Sequence, residues 1–145
     1  MSPEFQAFAS PEVQAFANGF PIALLHAVIT IGLLLLGAAA HALLSPYKEI
    51  QQIRDGNPAA AISFGGLMIA LALPLARSLS ASASVVETVI WGVPVTVVLL
   101  LLFRLADMLL KGLPQRVQDG EISAAALLVA AKLAVAIIVA AAVSG

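Results

Sequence analysis

Four stretches of this sequence, residues 20–44, 58–80, 86–110 and 122–143, are each long and apolar enough to cross a lipid bilayer. The hydrocarbon core of a membrane is about 30 Å thick and takes roughly 20 residues of helix. Backbone amides in that layer have no water to bond, so each stretch is expected to close its own hydrogen bonds as an α-helix. The third stretch carries no charge over 88–103, and the fourth is broken only by Lys132. Of the whole chain 61% is hydrophobic and only 10% charged, whereas a soluble domain carries about 25% charged residues for its polar coat. The fold class expected is therefore all-α: an integral membrane four-helix bundle forming a single domain over 1–145.

The same composition excludes most chemistry. The formal net charge is −1, which gives no field to attract nucleic acid. With no cysteine there is no disulfide and no thiolate. His26 and His41 stand too far apart for a zinc-binding helix motif. No nucleophile–base pair, metal cluster or phosphate loop is visible, so neither enzymatic activity nor a cofactor or metal is expected. Ala40-His41-Ala42 has the form of a signal cleavage site. It follows a long apolar run with no basic residue before it, so 20–44 reads as a retained span.

Ahead of that span, Ser10-Pro11 reads as a helix start, with serine as N-cap and proline in the first turn. Val13, Phe16, Ala17 and Phe20 follow at i, i+3, i+4 and i+7. This spacing predicts a short amphipathic helix over 10–19 lying in the membrane interface, with Phe8 packing back on it. Basic residues set the orientation. Lys48 and Arg54 fall in the first loop, Lys111 and Arg116 in the third with Arg104 close by, Arg77 alone beside the second, and none near either terminus. Loops one and three are expected in the cytoplasm, with both termini outside.

Two segments of the chain match. Adding 64 to each number carries Asp55 onto Asp119, Gly56 onto Gly120, Ala60 onto Ala124 and Ala61 onto Ala125. Each landmark stands between an amphipathic loop segment and an alanine-rich span. This predicts two tandem helix-hairpin repeats, 20–80 and 86–145, inserted the same way round about an axis along the membrane normal. Locally, Asn57 and Pro58 read as a helix start, Gly56 permits a positive φ, and Asp55, Asp119 and Glu121 favour helix N-termini. The functional alternative is a paired cytoplasmic surface for a ligand or partner protein, made by Arg54, Asp55, Gly56, Asn57, Asp119 and Gly120.

At this motif the sequence resembles the bacterial domain-of-unknown-function family numbered 350. The resemblance lies in Pro46-Tyr47-x-Glu49-Ile50, Ile53-Arg54-x-Gly56-Asn57-x-Ala59-Ala60-Ala61, Gly66, Pro74-Leu75-Ala76 and Trp91-Gly92. It extends over most of the chain from Phe20 onward, and the Arg-x-Gly-Asn-x-Ala-Ala-Ala stretch is its specific part. It implies a small inner-membrane protein with four spans in two related halves, and it implies no activity. Lys132 departs from the small or apolar residues that the resemblance leads one to expect in the fourth span.

Lys132 is the most unusual residue. It lies 11 residues past Glu121, about 16 Å into its helix and near the bilayer centre. A lysine there costs at least about 2.5 kcal/mol and needs a partner or a wet cavity. The partners in view are His26, Arg77 and Glu87. On the first span His26, Thr30, Leu33, Gly37 and His41 share one face. That face reads either as a packing seam or as a proton- or ligand-sensing surface. Gly37 makes a notch in it beside Ala38 and Ala42, and Ala126, Ala130 and Ala134 make a second small-residue face on the fourth span. Arg104, Asp107 and Lys111 are spaced to form a charged clamp, Asp107 pairing with either neighbour. Arg77 and Glu87 are placed to pair across the outer loop, and Trp91 reads as an interfacial anchor. The expectation is a small membrane scaffold or accessory subunit in contact with lipid, homo-oligomeric with a dimer as default. The alternative is a channel or transporter for ions, protons or small solutes, with an intersubunit path involving Lys132 and His26.

Overall fold

The computed structural model describes residues 10–143, and these are helical almost throughout. In chain order the elements are α1 (Pro11–Leu44), α2 (Glu49–Arg54), α3 (Pro58–Ala81), α4 (Val85–Leu109), α5 (Leu113–Gln118) and α6 (Ile122–Ala142). The four long helices, α1, α3, α4 and α6, are each long and apolar enough to span a membrane. They run up and down, with α2 and α5 joining them at one end, here the short-helix end. The chain is a multi-pass membrane protein built as a helical bundle. Phe8 lies outside the described residues.

Helix starts follow the local chemistry. The Ser10 hydroxyl accepts from the Val13 amide at 3.4 Å, and Pro11 opens α1. Asn57 Oδ1 accepts from the Ala59 and Ala60 amides at 3.0 and 3.1 Å, with Pro58 in the first turn of α3. At α4 the Ser84 hydroxyl accepts from the Glu87 amide at 3.2 Å while Glu87 Oε2 accepts from the Ala83 amide at 2.8 Å. This is a reciprocal cap close to the Ser-x-x-Glu box.

One boundary differs from the sequence reading. Residues 10–19 are the first turns of α1 and not a separate helix, so α1 has 34 residues and is about 51 Å long. Pro21 lies inside it without ending it. A proline removes a single amide donor, and continuing the helix still bonds most of the remaining backbone.

The two connections at the short-helix end repeat their backbone geometry. Lys48 and Gly112, 64 residues apart, precede α2 and α5 with φ of 49° and 89°. Gly56 and Gly120 follow those helices with φ of 87° and 85°, a conformation open to glycine at little cost. After α2, amide groups of Asp55, Gly56 and Asn57 donate to the carbonyls of Gln51, Ile53 and Gln52; after α5, those of Asp119, Gly120 and Glu121 donate to Gln115, Val117 and Arg116. Every donor and acceptor in the second set is numbered 64 above its counterpart in the first.

Helix α3 is the centre of the packing. It lies most extensively along α6 and also meets α1, α2, α4 and α5, while α1 rests on α4 and α4 touches α6. Leu67, Leu71, Leu99 and Phe103 are fully buried and fill the middle of the bundle. A second cluster at the short-helix end joins Ala59, Leu113, Val117, Ala124, Ala125 and Leu128. Glycines set the closest approaches. A Cβ on Gly66 of α3 would stand 2.4 Å from Val129 Cγ2 of α6, and one on Gly92 of α4 would stand 2.6 Å from Leu33 Cδ1 of α1.

The Gly37 notch is occupied within the chain. A Cβ there would lie 2.8 Å from Thr96 Cγ2 of α4, and Gly37 and Ala38 are both buried. Ala42 is half-buried, whereas Ala126, Ala130 and Ala134 lie exposed on α6.

Candidate functional site

The membrane-buried charge of Lys132 is answered from an unexpected side. Lys132 sits at the middle of α6 with its side chain 2% exposed, and its ammonium lies 3.0 Å from Asp107 Oδ1 and 3.4 Å from Oδ2. Asp107 is itself only 9% exposed at the side chain. It belongs to the last turn of α4, at the short-helix end. Side chains on a helix lean toward its N-terminus, and α6 starts at that end, so the lysine reaches toward Asp107. The Phe103 ring, one turn earlier on α4, has its centroid 6.0 Å from the ammonium, at the outer limit of a cation–π contact.

This corrects two expectations. The partner of Lys132 is Asp107, and not His26, Arg77 or Glu87. Asp107 in turn is drawn inward, so it forms no ion pair with Arg104 or Lys111.

A second buried pair lies at the same end. His41, in the last turn of α1, has Nε2 3.5 Å from Glu49 Oε2 at the start of α2, both side chains being nearly buried. Glu49 and Asp107 line one small cavity together with Tyr47, Ser63, Gln118 and Leu128. Its volume is about 10 Å³, close to the minimum for one water molecule. Two carboxylates thus line one cavity, each with its own basic partner, Glu49 with His41 and Asp107 with Lys132. Such pairing holds ionisable groups inside the bundle.

The other sequence candidates are dispersed. His26 is half-buried on α1, about 22 Å from His41 along the helix, and its carbonyl accepts from the Thr30 hydroxyl at 2.8 Å. Glu87 is engaged in capping α4. The loop motif divides. Asn57 joins the two halves: its Nδ2 donates to the carbonyls of Val117 and Gln118, both at 3.0 Å, while its Oδ1 caps α3. Arg54, Asp55, Gly56 and Asp119 are exposed, and Gly120 is half-buried near Asn57. Gln51 donates to Asp55 and Gln115 to Asp119, an equivalent pair 64 residues apart. Glu121 stands at the N-cap of α6, but its side chain makes no capping bond and accepts from Arg116 through both carboxylate oxygens. The Arg116 hydrogen bonds, then that of Ser123, hold its pKa at about 2, and the same pairing raises Arg116. Among the described residues no group of three acidic or histidine side chains is arranged to hold a metal ion.

Sequence reasoning missed Glu49 as a buried residue and missed Asn57 as a bridge. Glu49 follows a loop and has no apolar periodicity around it to mark it as interior. Asn57 was legible as a cap, but its second set of partners lies about 60 residues further along the chain.

The family model described as Domain of Unknown Function (DUF350) matches residues 15–143. The chain belongs to that family. The match takes in nearly all of α1 and the whole of the other five helices of this DUF350 protein, both buried ion pairs included. It agrees with the resemblance carried by the Arg54 to Ala61 motif. No curated protein and no solved structure matches the chain.

Proposed function

We propose that this DUF350 protein is a small oligomeric scaffold or accessory subunit of the bacterial inner membrane. It would act through exposed helix faces and through the loops at the short-helix end. One observation carries the reading: the buried ionisable side chains are paired inside one chain, Lys132 with Asp107 and His41 with Glu49. With Leu67, Leu71, Leu99 and Phe103 filling the centre, a polar path through a single bundle has no room. The chain is read as two tandem hairpins, which the matching hydrogen bonds of the two connections support. Loops one and three are placed in the cytoplasm and both termini outside, on the distribution of Lys48, Arg54, Lys111 and Arg116. The exposed first turns of α1, 10–19, would rest in the outer interface. Ala126, Ala130 and Ala134 offer a homo-oligomer face, with a dimer as default. Arg54, Asp55 and Asp119 are exposed for a partner protein.

The competing reading is a channel or transporter with a path between subunits, involving Lys132 and His26. The Glu49 and Asp107 carboxylates, which line one small cavity, favour it. Proteoliposomes separate the two. The scaffold reading expects proton and potassium flux no greater than in empty vesicles, with an oligomer trapped by cross-linking in native membranes. A flux that disappears in the Lys132→Met/Asp107→Leu variant, while the cross-linked oligomer persists, establishes transport instead.

A further inference from the structure

Drawing Asp107 inward leaves two cations uncompensated, Arg104 on the outside of α4 and Lys111 in the turn that follows it. In sequence Asp107 stands between the two bases, yet its carboxylate belongs to Lys132. Arg104 and Lys111 are both exposed, and neither has an ion-pair or hydrogen-bond partner among the described residues. Arg104 lies five residues before the end of α4, about 7.5 Å into the helix. With the short-helix end at the membrane interface, as the proposed orientation has it, an arginine one to two turns inside the helix end can reach lipid phosphates.

Two grooves meet at Arg104. One, of about 400 Å³, runs between α1 and α4 and is walled by Leu44, Val97, Leu100 and Leu101, with His41 and Arg104 at its polar margin. The other, of about 310 Å³, continues past Arg104 and Asp107, whose carboxylate is paired with Lys132, to Lys111, Tyr47 and Gln115. An apolar trough that opens onto two unpaired cations fits a molecule with a long apolar tail and a negative head. Free phosphate would use the cations and leave the trough empty. A zwitterionic lipid would bring its own cation against Arg104 and Lys111.

We propose that this groove binds an anionic phospholipid, its phosphate between Arg104 and Lys111 and one acyl chain lying between α1 and α4. Arginine and lysine at a membrane interface recognise such headgroups by charge and, for arginine, by forked hydrogen bonds.

Native mass spectrometry of the full chain in detergent tests this, with phosphatidylglycerol, phosphatidylcholine and inorganic phosphate as probes. Two cations near the headgroup should favour phosphatidylglycerol over phosphatidylcholine by roughly 10- to 30-fold. Arg104→Gln/Lys111→Gln should abolish the preference. Val97→Trp keeps both charges but fills the trough, and should weaken phosphatidylglycerol alone. Equal retention of the two lipids overturns the proposal, as does a Val97→Trp variant that binds phosphatidylglycerol like the wild type. Displacement of the lipid by millimolar phosphate also overturns it, leaving a simple anion site. A lipid-free dimer that Val97→Trp breaks and Ala130→Leu leaves intact overturns it too, by placing a second copy in the groove.

Discussion

Lys132 is tolerated at mid-helix because its charge is not alone. Placing a lysine at the bilayer centre costs about 2.5–3.5 kcal/mol on insertion scales, and Asp107 at 3.0 Å offsets part of that. Removing one member of a buried pair strands the other, which typically costs about 3–5 kcal/mol, whereas replacing both with apolar side chains is often neutral. Lys132→Met and Asp107→Leu should therefore each lower the thermal unfolding temperature in detergent. The double variant should recover most of the loss. Unfolding temperatures that simply add would show that the two side chains do not act as a pair. The lysine was conspicuous in the sequence, but its partner was not. Asp107 has Arg104 and Lys111 nearby in sequence at the spacings that favour pairing on a helix, but α4 ends before Lys111 and the packing of α6 on α4 brings Lys132 to the carboxylate.

Between helices, glycine decides how near the backbones come. Gly66 faces Val129, whose Cγ atoms would stand 2.4 and 2.5 Å from an added Cβ. Valine is short and stiff at χ1, so α3 and α6 would have to move apart. Gly66→Ala should destabilise the protein by about 1–3 kcal/mol, read as a lower unfolding temperature. Val129→Ala in the same chain should restore it. If Val129→Ala brings no recovery, the crossing is not set by this contact. Gly66 entered the sequence reading only as part of a family resemblance, and Gly92 likewise. Small residues at helical spacing mark faces that admit a neighbour, without saying which neighbour. The helix starts were more legible: Ser10-Pro11 and Asn57-Pro58 act where they stand, because a cap bonds amides two or three residues away.

At the level of the whole molecule, the two small-residue faces part company. Gly37 and Ala38 are used inside the chain, against Thr96 and Leu71, while Ala130 points outward from α6. Gly37→Leu should then disturb the fold itself, lowering the unfolding temperature whatever the oligomeric state. Ala130→Leu should leave the unfolding of one chain nearly unchanged and shift the mass in nanodiscs toward monomer. A dimer that survives Ala130→Leu would remove this face of α6 from the interface.

Membrane residence, four spans and their approximate limits were decided by the sequence alone. Each depends on the solvation of a contiguous run of residues, and lipid enforces it without reference to the rest of the chain. The local geometry after Asp55 and Asp119 was equally readable, since a glycine with positive φ acts on its immediate neighbours. Which helix lies in the Gly37 notch, which carboxylate answers Lys132, and where His41 finds Glu49 were decided only by tertiary packing. Those contacts join helices whose order around α3 is set by the fit of side-chain surfaces. Apolar composition specifies that such surfaces must pack, and it leaves open which of them meet.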